Sequence, residues 1–310
     1  MTVPHEVRVF APATVANLGP GFDVLGVALA GAGDVVAARP SPVPGVRIAR
    51  IEGDGGALPA DAERNTAGIA ALRTLALTGI ASGVELTLSK GLPLGSGLGS
   101  SAASAAAAAY AVNCLFGSPL RKMDLVAPCL EAEAAVSGKH ADNVAAALLG
   151  GLVLVRRVDP LDVVRLPVPE GLTLAVVTPR HAVGTKEARA VLPAVIPLDA
   201  HVRASADLAA FVGACFSGDM ALLARAIGDE IVTPARASLI PGCAEVIRAA
   251  LGAGALGSAI SGSGPSIFAL CRSPRSASEA AAAMIAAFES AGLTATSIVS
   301  PADAPGVRRL

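Results

Sequence analysis

Residues Gly91–Tyr110 read GLPLGSGLGSSAASAAAAAY. Gly95, Gly97 and Gly99 alternate through five positions, Ser100 and Ser101 follow, and a run made almost entirely of alanine comes next. Alanine is the strongest helix former, so the run predicts a helix over about 100–114. Upstream, Val84–Ser89 alternates as a strand does. A strand, a glycine-rich turn and a helix start make an anion site. The first N–H groups of a helix have no internal partner, and the helix dipole places partial positive charge there. Glycine lets the backbone approach an anion closely. Either serine can cap the helix, and one hydroxyl can reach a magnesium ion. The plainer reading is a tight turn ahead of an alanine-rich core helix. The G-x-x-x-x-G-K-[ST] pattern of P-loop NTPases is absent, and G-x-G-x-G is not the G-x-G-x-x-G dinucleotide fingerprint.

Outward from this loop, strands are predicted at 7–11, 34–39, 46–51, 150–157, 172–178, 266–271 and 294–299. Helices are predicted at 65–78, 121–136, 142–149, 199–216, 219–227, 243–252 and 275–291. Pro160, Pro167 and Pro169 mark a boundary within 158–171. Strands and helices mix in both halves without a regular βαβ repeat, which predicts an α+β chain of two domains.

The 310 residues are 53% hydrophobic and 16% charged, enough apolar material for a large core and too little charge for a disordered chain. Mean hydropathy is +0.61, but the apolar runs break well before the ~18–20 residues of a membrane span. The N-terminus lacks the pattern of a secretory signal. A net charge of −1 and the scarcity of aromatic residues argue against a nucleic-acid partner. The five cysteines form no C-x-x-C pair, as expected of free thiols in the cytoplasm. The four histidines lack zinc-ligand spacing.

Pro93–Ser104, PLGSGLGSSAAS, resembles the central P-x-x-x-G-L-G-S-S-A-A motif of the GHMP kinases. A lead-in at Ala11–Leu29 and SGSGPS at Ser261–Ser266 match the same superfamily. APATVANLGPGFDVLGVAL (11–29), SGKHADNVAAALLGG (137–151), GTKEARAVLP (184–193) and PARASLIPG (234–242) are similar to the homoserine kinase branch. The likeness is collinear over essentially the whole chain. Val15 and Ala146 depart from it, where A-T-S-A-N and D-N-V-A-P are usual. The resemblance implies a two-domain GHMP kinase fold. Residues 1–165 would form a ribosomal-protein-S5 domain-2-like ATP-binding domain, and 166–310 a ferredoxin-like C-terminal domain.

It also implies a site. Pro93, Leu94, Gly95, Ser96, Gly97, Leu98, Gly99, Ser100, Ser101 and Ala102 would surround the phosphates of ATP, with Asn65 near the adenine. Mg2+ would sit on a serine hydroxyl, Ser100 or Ser101, and on a glutamate, Glu133, with Glu131 as the other register. Lys90 would neutralise phosphate charge. Asn17, Asp23, Asn143, Thr185, Arg189 and Arg236 would bind L-homoserine: Asp23 its ammonium, the two arginines its carboxylate, Asn143 its hydroxyl. Each has a plainer reading as a helix cap, a solvated strand end or a surface charge. All are of suitable chemistry, and they come from both halves of the chain, which predicts a site between domains.

The reaction implied is phosphorylation of L-homoserine in threonine biosynthesis, without a strong general base. Asp142 is the alternative base, and His140 is read as structural. Other readings are a superfamily kinase for a different alcohol and a non-catalytic ATP-binding sensor. The expected partner is the small substrate, with no nucleic acid and no membrane, and a homodimer as the assembly to test.

Overall fold

The computed structural model describes residues 4–136 and 138–310, so Ser137, the first residue of the 137–151 segment, lies outside the described residues. The first half runs β1 (Val7–Ala16), β2 (Leu25–Ser41), β3 (Gly45–Glu52), α1 (Thr66–Thr78), β4 (Gly83–Ser89), α2 (Ser100–Leu115), α3 (Val126–Val136), α4 (Asp142–Leu149), β5 (Leu152–Val158) and β6 (Leu161–Leu166). The second runs β7 (Thr173–Pro179), α5 (Thr185–Ala190), α6 (Leu198–Ser217), α7 (Met220–Ala226), α8 (Val232–Arg236), α9 (Cys243–Gly252), β8 (Gly257–Ile260), β9 (Ile267–Cys271), α10 (Pro274–Ser290), β10 (Ala295–Pro301) and β11 (Arg308–Arg309).

The first sheet has the order β11-β1-β2-β4-β3, with β5 and β6 continuing from the near end of β2. The strand expected at 34–39 is the far half of this long β2. Its first residues, Leu25–Val27, pair with β5, and Val35–Ser41 pair with β4. The apolar run before Gly31 carries no alternation, which hid it. β6 occupies the segment read as an interdomain boundary and pairs with β5. The helix expected from Arg121 opens instead as a 3-10 turn at Lys122–Leu125, and its α-helical part starts at Val126.

β3 and β4 are parallel, so a crossover must join them, and α1 supplies it. Asn65 caps α1 by accepting from the Ala67 N–H at 3.0 Å. α2 lies against α1, β1 and β2. Residues Ala102–Ala109 are all buried. Methyl-sized side chains on every face let the helix backbone sit close to its neighbours. A larger side chain there would overpack the core, at about 1–3 kcal/mol.

The second sheet, β10-β7-β9-β8, is antiparallel throughout. Its side chains alternate between two cores. Ala175, Val177, Ile267, Ala269 and Cys271 pack with α9 and α10. Leu174, Val176, Phe268 and Leu270 face the larger core, with Phe211 of α6 and Leu223 of α7. The chain then returns to the first sheet. Gly150 bridges Pro305, the Val307 N–H donates to the Ala147 carbonyl at 2.7 Å, and β11 pairs with β1.

Candidate active site

The glycine loop is held from behind. The Ser261 hydroxyl donates to the Gly97 carbonyl at 2.7 Å, and the Ser266 hydroxyl and N–H donate to the Ser96 carbonyl at 2.6 and 3.1 Å. The carbonyls are thus taken by the 261–266 loop. Gly97 has φ of +77°, and a Cβ there would meet the Ser261 and Gly264 carbonyl oxygens at 2.5 and 2.8 Å. Only glycine allows this approach.

Gly99, at φ +64°, is the cap residue of α2, and no side chain caps the helix. This corrects the expectation that Ser100 or Ser101 does so: both lie inside the first turn. The first intrahelical bond runs from the Ala103 N–H to the Gly99 carbonyl, so the earlier N–H groups have no intrahelical partner. Ser100 Oγ is buried and has no hydrogen-bond partner among the described residues.

A cavity of about 600 Å3 opens at this helix start. Of the expected residues, Leu94, Gly95, Ser96, Gly97, Gly99, Ser100, Ser101, Asn65, Lys90, Glu133, Asn143, Asn17, Asp23, Thr185, Arg189 and Arg236 line it. Pro93, Leu98 and Ala102 do not. Leu98 and Ala102 belong to the core, and the Pro93 carbonyl accepts from the Ser96 hydroxyl. Glu133 is buried in the wall, whereas Glu131 is exposed and paired with Arg73 at 2.8 Å.

Lys90, in the cavity wall, is engaged within the protein. Its ammonium is buried against Asp34 and also donates to the Ser100 carbonyl at 2.9 Å and to Ser104 Oγ at 2.7 Å. These three contacts use all three donors. Asp34 also accepts from Ser104 Oγ at 2.8 Å and from the Gly91 and Leu92 N–H groups at 3.0 and 3.2 Å. The pair therefore bolts β2, the entry to the glycine loop and the first turns of α2 together. Burial pushes the Lys90 ammonium below the ordinary lysine pKa, and Asp34 offsets part of that shift.

Two asparagines in the cavity wall also make contacts within the protein. Asn65 Nδ2 donates to the Pro59 carbonyl at 2.9 Å while its oxygen caps α1. Asn17 Nδ2 donates to the Gly262 carbonyl at 3.2 Å, and its Oδ1 accepts from the Asp23 N–H at 3.1 Å. Asn143 lines the cavity too, and its Oδ1 accepts from Thr14 Oγ1 at 2.7 Å. Gly99 makes room for that contact, since a Cβ there would lie 2.0 Å from Thr14 Oγ1.

The far end of the cavity is charged. Arg189 Nη1 and Nη2 donate to the Asp23 carboxylate at 3.0–3.2 Å. Arg236 is buried, donating through Nε to the Ala188 carbonyl at 2.9 Å and through Nη1 to the Gly262 carbonyl at 2.6 Å. Burial, and then the charge of Arg189, lower its pKa from the ordinary arginine value. Asp142, beside Asn143, is fully buried. Burial and the nearby Asp23 raise its carboxyl to about 7.

The family described as GHMP kinases N terminal domain matches residues 65–151, and GHMP kinases C terminal matches 211–290. The homoserine kinase of Arabidopsis thaliana is 48% identical, covering 98% of this chain and 84% of that protein. The one from Xanthomonas campestris pv. campestris is 42% identical over 99% and 94%. The crystal structure of homoserine kinase from Cytophaga hutchinsonii superposes with a TM-score of 0.97 at 47% identity, over 100% and 99% of the two chains. The chain belongs to the homoserine kinases of the GHMP kinase family.

The two-domain GHMP kinase architecture expected from the sequence is thus the fold of this chain. The L. major mevalonate kinase shares it with a TM-score of 0.71 at 16% identity, a likeness of fold alone. Within this GHMP family member, sequence reasoning missed Thr14, Asp34, Ser104 and Phe22. Asp34 had a signal. It shares the inward face of β2 with Val36 and Ala38, where a lone carboxylate needs a partner.

Proposed function

We propose that this chain transfers the γ-phosphoryl group of ATP to the hydroxyl of L-homoserine, giving O-phospho-L-homoserine for threonine synthesis. One observation carries the reading. A single cavity has the open N–H groups of a glycine loop and helix start at one end, and Asp23, Arg189 and Arg236 at the other. The Asn143 amide stands in its wall. The first end suits phosphates and the second an amino acid with both charges. Full-length relatives named homoserine kinase support the same substrate.

Asn143 donates to the acceptor hydroxyl and aims its oxygen at the γ-phosphorus. Thr14 fixes the amide orientation that allows this. An asparagine takes no proton, so the hydroxyl proton passes to the phosphoryl oxygens, in keeping with a loose transition state. The helix start and loop N–H groups hold the charge that builds on the phosphates. Lys90 acts indirectly, by fixing that loop.

Ser100 and Glu133 are the residues that would hold Mg2+. The fit rests on the orphaned, buried Ser100 hydroxyl and on the buried Glu133 carboxylate in the same wall. A magnesium ion bound there supplies charge neutralisation to the phosphates. We also place the chain in the cytoplasm, which its five free cysteines favour. Among the described residues no helix is long and apolar enough to cross a membrane.

Coupled ADP release with L-homoserine, mevalonate and galactose tests the reading. Turnover with homoserine alone is the expected result. Preference for another alcohol, or no turnover with any, overturns it.

A further inference from the structure

Phe22 sits where an aromatic ring has little structural reason to be. It belongs to neither hydrophobic core, and it is only half-buried. The three largest fully buried side chains, Phe211, Phe268 and Phe288, fill the cores instead. The ring of Phe22 faces cations. The Arg189 guanidinium carbon lies 5.3 Å from its centroid and that of Arg236 lies 5.4 Å away. Both are within the ~6 Å reach of a cation–π contact.

Two guanidiniums close to one ring repel each other, and Arg236 is also deprived of water. An anion bound between them would relieve this repulsion. Asp23 offsets only Arg189 by direct hydrogen bonding. The backbone carbonyls on Arg236 fix its Nε and Nη1. Both arginines share the charge of Asp23 and the negative face of the phenyl ring, over which each guanidinium lies. The ring's place is also set firmly, because the neighbouring Asp23 is in the left-handed region at φ +60° and its N–H is tied to Asn17.

We propose that Phe22 is a positioning and specificity residue, whose ring holds Arg189 and Arg236 together as one carboxylate clamp. The role rests on the proposed homoserine site and deepens it. Phe22 is placed with the two arginines assigned to the carboxylate. Its loss therefore acts on binding of the amino-acid carboxylate and leaves the chemical step alone.

The test is steady-state kinetics with L-homoserine on Phe22→Leu and Phe22→Tyr, alone and combined with Arg189→Met, with folding checked by circular dichroism. F22L raises the homoserine KM about tenfold, the change that ~1.4 kcal/mol produces and within the range of partly buried cation–π contacts. Its kcat and its KM for ATP stay within about twofold. F22Y keeps the ring face and holds KM within about threefold. In the Arg189→Met background the cost of F22L shrinks, since one of the two cations is gone. An unchanged KM in F22L, a matching fall in kcat, or an equal cost in both backgrounds overturns the proposal. If F22L does not fold, F22Y decides alone, and a tenfold rise in its KM overturns the role. An unmutated chain inactive on homoserine sinks both the substrate reading and this inference. An active one with a silent F22L sinks only the inference.

Discussion

The Thr14 hydroxyl donates to Asn143 Oδ1 at 2.7 Å, across the whole span from the first strand to the fourth helix. One proton on a buried threonine thus decides which end of the Asn143 amide is held. Thr14→Val keeps the shape and removes that proton, leaving Asn143 Oδ1 without its donor. The amide is then free to flip, and misplacement of a reacting atom by ~1 Å costs about 10²-fold. We expect kcat to fall 10- to 100-fold with both KM values near normal, and stability to drop by about 1–3 kcal/mol. Thr14→Ser restores the donor and most of the rate. Rates and melting curves of the two variants check this.

Asp142 separates positioning from proton abstraction. If no side chain removes the hydroxyl proton, Asp142→Asn stays within about tenfold of the unmutated rate, whereas Asn143→Ala loses more. General-base catalysis contributes 10²–10⁴-fold, so a loss of that size in Asp142→Asn with normal KM values would install it as base.

The same carboxyl makes a stability prediction. Its folded pKa is raised, from 3.8 to about 7, so the folded state holds more protons than the unfolded state between those values. Stability is then full below about pH 4 and declines as pH rises through 7. At pH 8 the penalty of ionised Asp142 is on the order of 4 kcal/mol. Asp142→Asn removes it, flattening the profile between pH 4 and 7 and leaving the variant more stable at pH 8. Urea unfolding of the ligand-free chain across that range measures this. A variant that follows the unmutated slope refutes it.

Glu133→Gln should raise the magnesium concentration needed for half-maximal rate and depress kcat. Glu131→Gln breaks only an exposed pair with Arg73, worth at most about 1 kcal/mol, and should leave the magnesium titration unmoved. A reversed pattern would assign the metal to the outer glutamate.

Lys90→Met strands the Asp34 carboxylate in the core, at about 3–5 kcal/mol. Asp34→Asn does the converse to Lys90. Made together, the two changes should cost clearly less than their separate costs added, as measured by urea unfolding. Additive costs would mean that the two charges are not one unit.

Much of this could be read from the chain itself. The glycine loop, its flanking strand and the alanine helix rest on strong local preferences, and they stand where expected. What escaped was pairing between distant segments. Lys90 continues the inward alternation Val84, Leu86, Leu88 of β4, and Asp34 opens that of β2. Each is an anomaly on a buried face, but only strand order makes them neighbours. Asn65 and Asn17 are expected at the site because the family resemblance places matching residues there. Both line the cavity, and each also serves a helix cap or a left-handed turn, contacts that no spacing reveals. Phe22 carries no signal of its own in the sequence, and only the fold sets it against two arginines.

The return of residues 302–310 to the first sheet has a consequence for how the molecule assembles. During synthesis β1 is made early, yet Phe10 waits for Arg308 and Val9 for Arg309. Until then one edge of a largely formed sheet stands bare, an invitation to strand addition by a neighbouring nascent chain. Phe10 guards that edge against Arg308 in the finished molecule, their centres 4.2 Å apart. Shortening the chain before residue 308 should therefore show first as aggregation during expression, ahead of any change in turnover.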